Sequence, residues 1–261
     1  MQLNRNEIEI KKFSAGESSI NISKIHCEDT NIIHFENTDN IFDLCLVVDA
    51  LKRSDKWKYT ILEIPYLPYS RQDRVCNVGE AFSLDVFAGI VNKLGFHKVV
   101  TWDVHSEIAT SLFDNFVNRE MYLCVSDTLI EGCSNIDLVD VIVAPDKGAK
   151  HKVKKIIEDG IVNAKFFIAD KVRAKNNSSV NTNIDDKFKK YLRENKDIKI
   201  GVFDDICDGG RTFIELAKVI LKENEGVELY LYTTHGIYSH GKEELKKYYK
   251  KVVCTNQLNK N

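Results

Sequence analysis

The sequence predicts an α/β fold: mostly parallel sheets flanked by helices. Three observations carry this. Short apolar runs alternate with helical patterns along the chain, the sign of parallel strands joined by crossover helices. At 261 residues and 43% hydrophobic content, the chain suffices for one large or two modest α/β cores. Several apolar runs also stop at a glycine-bearing polar turn, as strands do at the ligand edge of such folds.

Taken in order, residues 59–65 (YTILEIP) form the first clear apolar run and read as a strand. Residues 83–94 have the helical period, with Ser83 placed to cap and Gly95 to end the helix. Strands follow near 98–104, 139–144 and 165–170, with a helix at 149–159 between the last two. Residues 174–186 (AKNNSSVNTNIDD) have little apolar content and no period, which predicts a mobile loop. The run 198–204 reads as a buried strand, and the helix at 212–222 presents Phe213, Leu216, Ala217, Ile220 and Leu221 on one face behind a Thr212 cap. A strand near 228–234 and a helix at 241–250 complete the pattern. Two similar halves, joined near residues 115–121, are expected.

Composition narrows the class. A formal net charge of −2 gives no polyanion footprint, so nucleic acid is not an expected partner. Seven cysteines form no CxxC pair, which fits reduced thiols in a cytoplasmic setting. No run approaches the length of a membrane span, and a membrane is not an expected partner either.

The chemistry concentrates in residues 198–212 (IKIGVFDDICDGGRT). Asp204 and Asp205 at a strand end can accept from sugar hydroxyls. Asp208, Gly209, Gly210, Arg211 and Thr212 form a tight turn into a helix, where backbone amides face an anion. An Asp-Asp pair by itself equally suits an acidic turn. Further segments bear on the choice: Phe13-Ser14-Ala15-Gly16-Glu17, Pro65 to Arg74 ending in Arg71-Gln72-Asp73-Arg74, Asp103-Val104-His105, Ala144-Pro145-Asp146-Lys147-Gly148, and Asp170-Lys171-Val172-Arg173. Thr234-His235-Gly236 and Cys254-Thr255-Asn256 complete the series. Arginine forks can grip phosphates and stack on a purine.

In order and spacing, these segments resemble the ribose-phosphate pyrophosphokinase (phosphoribosyl pyrophosphate synthetase) family over residues 12 to 257. The resemblance implies two phosphoribosyltransferase-type domains. Residues 1–118 would be an ATP-binding half shortened at its N-terminus, and residues 119–261 a half carrying the ribose-phosphate loop. It further implies that Phe13, Glu17, Arg71, Gln72, Asp73, Arg74 and His105 contact ATP, and that His105 and Asp146 reach Mg2+. Lys171 and Arg173 would neutralise charge on the transferred and departing groups. Asp204, Asp205 and the turn 208–212 would hold the ribose-phosphate unit. The reaction would be a direct displacement: the anomeric hydroxyl attacks the β-phosphorus of ATP, and AMP leaves. No residue stands out as an obligatory general base.

The segment around Phe13 commonly completes the ATP site of a neighbouring subunit, so the resemblance implies a homo-oligomer, dimer or higher, with ATP at a subunit interface. Three departures matter. Ala15 stands where the family has aspartate, Val75 where it often has lysine, and Asp208-Gly209-Gly210-Arg211-Thr212 where it reads Asp-Thr-Gly/Ala-Gly-Thr. The last change removes a hydroxyl that grips a terminal 5-phosphate, opens space at Gly209 and adds the cation Arg211. A 5-phosphate extended by another phosphoryl group, as in ADP-ribose, needs such an open end and a second positive partner. The loop thus resembles phage-borne relatives that look like synthetases of ADP-ribose pyrophosphate in NAD salvage. Free ribose 5-phosphate, feeding nucleotide synthesis, is the other acceptor, with Arg211 then facing solvent. A salvage phosphoribosyltransferase would share the 204–212 loop but should lack the ATP segments. A catalytically silent regulatory subunit would carry them in degraded form, against which stand Lys171, Arg173, His105 and Asp146.

Overall fold

The computed structural model describes residues 1–36, 39–130, 139–173 and 180–258. The chain divides into two compact units, Met1–Arg119 and Glu120–Asn261.

The first unit contains β1 (Gln2–Leu3), β2 (Asn6–Glu7), β3 (Ile10–Lys12), β4 (Ser18–Ile20), β5 (Thr30–His34), α1 (Ile41–Arg53), β6 (Tyr59–Ile64), α2 (Ser83–Leu94), β7 (Lys98–Trp102), α3 (Ala109–Leu112) and β8 (Phe116–Arg119). Its main sheet has the order β2-β1-β5-β6-β7-β8, with β5 to β8 parallel. Because successive parallel strands add in one direction, right-handed crossovers place their helices on one face. Accordingly Leu44, Val47 and Leu51 of α1 and Leu84, Phe87 and Val91 of α2 share one core with Ile33, Leu62, Ile64 and Val99. The alternate residues of these strands point the other way. Ile32, Tyr59 and Val117 on that side are 41–44% exposed.

The second unit contains α4 (Met121–Ile130), β9 (Val141–Ala144), α5 (Lys150–Glu158), β10 (Lys165–Arg173), β11 (Val180–Ile184), α6 (Asp186–Glu194), β12 (Lys199–Cys207), α7 (Arg211–Glu223), β13 (Glu228–Gly236), α8 (Glu243–Lys246) and β14 (Lys251–Gln257). The sheet order is β11-β10-β9-β12-β13-β14, parallel except for β11. Order reverses between β9 and β12, so helices cover both faces. Phe213, Leu216 and Ile220 of α7 pack with Phe188 and Leu192 of α6 on one side. Val153 and Ile156 of α5 pack with Met121 and Val125 of α4 on the other.

Several expectations need correction. Residues 180–184 are a strand and 186 begins α6, so the loop expected over 174–186 does not extend past 179, and 174–179 lie outside the described residues. The strand is an edge strand in which Thr182 and Ile184 are buried, so a polar sequence suffices. Asp185 caps α6 by accepting from the Phe188 amide at 2.7 Å. Ser83 is the first residue of α2 rather than its cap, which is Phe82 without a side-chain bond. Thr212 lies inside α7, whose cap is Gly210. The helix expected at 241–250 is only Glu243–Lys246.

Candidate active site

In the second unit, strand order reverses between β9 and β12, and in open α/β sheets the crevice at such a switch point, outside the strands' carboxyl ends, is the general position of ligands. Asp146 follows β9 there. Its Oδ1 accepts from the amides of Gly148 and Ala149 at 2.8 and 3.1 Å, so it also turns the chain into α5. A Cβ at Gly148 would lie 3.1 Å from that oxygen, which is why the wrap needs glycine.

Asp204 and Asp205 sit near the end of β12 and, as neighbours on a strand, point to opposite faces. Asp205, 7% exposed, accepts from Lys152 Nζ at 3.0 Å. Asp204 Oδ1 accepts from the Asp205 amide at 2.9 Å. Burial pushes the Asp204 carboxyl well above the usual carboxylate range, reinforced by the charges of Asp205 and Asp146 and only partly offset by Lys152. The crevice therefore concentrates negative charge that a cation or sugar hydroxyl donors would relieve. Burial also drives the Cys207 thiol up to about 12, which keeps it protonated and unsuited to nucleophilic attack.

The turn 208–210 leads into α7 through Gly210, at φ +76°, and no side chain caps the helix. A Cβ at Gly210 would also meet Leu245 at 3.2 Å. The space expected at Gly209 is not empty: a Cβ there would lie 3.0 Å from Cδ2 and 3.3 Å from Nε2 of His240. Lys152 and His240 are thus neighbours of the predicted loop that sequence reasoning missed. Both come from distant elements, and no local pattern marks either. Lys171 and Arg173 lie on β10, paired with Thr182 and Val180 of β11. Their side chains fall outside the described residues. Lys147, beside Asp146, pairs with Asp170 of β10 at 3.0 Å.

In the first unit, Phe13 and Glu17 close the β3–β4 hairpin, with the Phe13 amide donating to the Glu17 carbonyl at 2.8 Å. Gly16 at φ +93° allows that turn, and Phe13 stands 62% exposed at its tip. Arg71 to Arg74 follow the carboxyl end of β6. Arg74 grips its neighbour Asp73 through two bonds of 2.8 Å. That fork, with a further bond from Ser106, holds the Asp73 carboxyl far below the usual carboxylate range. Ser106 follows His105, so the structure ties two of the predicted segments together and adds a residue that sequence reasoning did not single out. Asp103 is buried with φ +40°, and Asn118 Oδ1 accepts from the Val104 amide at 3.0 Å. The exposed His105 is thereby presented on a strained, fixed turn. Gln72 lines a cavity of about 670 Å³ together with Phe35, Tyr66, Tyr69 and Phe87. Among the described residues no three His, Cys, Asp or Glu side chains form a ready metal cluster. No helix of the described residues is long and apolar enough to cross a membrane.

Comparison with known proteins bears on the whole chain. Residues 1–95 match the family model for the N-terminal domain of ribose phosphate pyrophosphokinase. The ribose-phosphate pyrophosphokinase of Chlorobaculum tepidum is 30% identical over 255 residues, covering 95% of this chain and 75% of that protein. That of Caldanaerobacter subterraneus is 29% identical, covering 88% and 71%. The crystal structure of phosphoribosylpyrophosphate synthetase from Mycobacterium smegmatis superposes with a TM-score of 0.74 at 20% identity, covering 97% of this chain and 82% of that one. The fold of that structure is therefore shared.

Proposed function

The chain belongs to the ribose-phosphate pyrophosphokinase family and is an enzyme of the diphosphotransferase type, and from that premise we propose that its acceptor is ADP-ribose. In this reading the anomeric hydroxyl of the acceptor attacks the β-phosphorus of ATP. The bond from that phosphorus to the α,β-bridging oxygen breaks, AMP departs, the pyrophosphoryl group joins the sugar and the hydroxyl proton passes to solvent. The product is ADP-ribose pyrophosphate.

The observation that carries the acceptor assignment is the turn at 208–211. Glycine stands at 209, α7 starts without a side-chain cap, and Arg211 is its first residue. Amides at the start of this 13-residue helix suit an anion, and Arg211 supplies the second positive partner that a diphosphate needs. Asp204 and Asp205 take the ribose hydroxyls, and Lys152 fixes Asp205. Asp208, Gly209, Gly210 and Thr212 enclose the 5-phosphate. Lys171 and Arg173 stabilise charge on the transferred group and on departing AMP.

Phe13, Glu17, Arg71, Gln72, Asp73, Arg74 and His105 are the ATP contacts of this reading. Mg2+ fits the donors: Asp146 offers hard oxygens beside a crevice already overloaded with negative charge. His105 and Asp146 are the metal residues of this reading, and most magnesium ligands would be phosphate oxygens and water. It would supply charge neutralisation on the polyphosphate. The exposed Phe13 at a hairpin tip suits a contact with ATP bound to another copy, which makes a homo-oligomer, dimer or higher, part of the reading.

A second acceptor, ribose 5-phosphate, is favoured by the names of the similar proteins, which are ribose-phosphate pyrophosphokinases. AMP formation from Mg-ATP, followed by chromatography with either acceptor, separates the two. Faster AMP release with ADP-ribose is expected; release with ribose 5-phosphate alone would transfer the assignment to phosphoribosyl pyrophosphate.

A further inference from the structure

We infer that His240 is a specificity-determining residue for the acceptor, contacting the second phosphoryl group of a nucleoside diphosphate sugar. The inference rests on the acceptor reading above and deepens it.

His240 lies in the turn that follows β13, and three features fix it against the 208–210 loop. The amides of Ile237 and Tyr238 both donate to the Cys207 carbonyl, at 2.8 and 3.1 Å, and the Ser239 amide donates to the Asp208 carbonyl at 3.2 Å. Tyr238 is buried at φ +49°, a backbone state that a bulky side chain adopts only where its surroundings impose it. The Gly241 amide then closes the turn onto the Tyr238 carbonyl at 2.8 Å, with Gly241 at φ +74°. Strain of this kind gathers at ligand clamps, and here the turn places the His240 imidazole beside Gly209.

The missing Cβ at 209 and the ring at 240 are therefore one feature. A Cβ at 209 would lie 3.0–3.3 Å from the His240 ring, tighter than ordinary contact, so a threonine in place of this glycine would press the ring out of its present position. In exchange the loop gains a ring N–H donor on an exposed residue. A terminal 5-phosphate ends inside the loop and does not need that donor. A phosphoryl group that continues into a diphosphate does, with Arg211 as its charged partner.

The test is calorimetric titration of ADP-ribose and of ribose 5-phosphate, each with Mg2+ present, into wild-type protein and His240→Ala. Loss of about tenfold in ADP-ribose affinity, with ribose 5-phosphate unchanged, is expected for one lost donor. Partial recovery should follow in His240→Gln, which keeps an N–H donor. Equal change for both acceptors, or for neither, would overturn the inference while leaving the acceptor reading intact. Wild-type protein that takes ribose 5-phosphate and not ADP-ribose would instead remove the acceptor reading itself. A second arm needs no ligand. Gly209→Thr should lower the melting temperature in the wild-type background and much less in His240→Ala; equal losses in both would show that a threonine at 209 does not press on the ring.

Discussion

Asp204 sits in an environment that works against its charge. Its carboxyl is pushed up by burial and by two neighbouring acids, so the folded state holds its proton to higher pH than the unfolded chain does. The sign follows directly: stability from this group is unaffected at low pH and falls as pH rises from the ordinary carboxylate value through the raised folded one. Asp204→Asn should therefore be more stable than wild type at pH 8, by on the order of 1 kcal/mol, with the gap closing toward pH 4. Urea midpoints at the two pH values measure it; an Asn variant less stable at pH 8 would contradict it. A second residue-scale expectation concerns Lys171. Lys171→Ala should lower kcat by about 100-fold or more with little change in KM for ATP, as loss of a transition-state contact requires. Steady-state kinetics decide it, and an unchanged kcat would exclude the role. At this scale the sequence made the carboxylates, glycines and arginines visible because their types and spacing are local. The Lys152–Asp205 bond, the Ser106–Asp73 bond and the His240–Gly209 contact were invisible, since each joins residues from separate elements.

Among the elements, β6, β7, β9, β10, β12 and β13 were legible as largely apolar runs, whereas the parallel strands β8 (FVNR) and β14 (KVVCTNQ) were missed because each has only a short apolar stretch that ends in polar residues. The first half yielded less: α1 has a 13-residue amphipathic pattern and an Asn40 cap that accepts from the Phe42 amide at 2.8 Å, yet no chemistry-bearing motif drew attention to it. β11 was misread for a physical reason. An edge strand buries alternate residues only, and Val180–Ile184 meets that demand with asparagine and threonine between its apolar ends. The lengths of β12 and β13 also ran past expectation, to Cys207 and Gly236, because their polar ends pair within the sheet. The start of α7 yields a stability prediction. Gly210→Ala must place a Cβ at φ +76° and 3.2 Å from Leu245, and should cost about 1–3 kcal/mol. Chemical denaturation measures this, and a neutral substitution would show that the turn relaxes freely.

At the scale of the whole molecule, strand order explains two features that composition could not show. Strand order reverses between β9 and β12, the switch point on which the acceptor reading rests, and the one-way order of β5 to β8 leaves one sheet face of the first unit, among the described residues, without a helix from its own unit. Parallel sheets are ordinarily covered on both faces. An assembly of copies, already part of the functional reading through Phe13, would have such apolar surface to bury. Sedimentation velocity at micromolar concentration should therefore give a species at least twice the 29.9 kDa chain mass, and a monomer at every concentration would remove the oligomer from the reading.

The chemistry itself is tested most directly with ATP labelled at the β-phosphorus with 32P, incubated with Mg2+ and ADP-ribose and resolved by chromatography. Pyrophosphoryl transfer predicts unlabelled AMP and an equal amount of label in a product heavier than ADP-ribose by one pyrophosphoryl group. Label retained in ADP, or released as inorganic pyrophosphate with ADP-ribose unchanged, would contradict it.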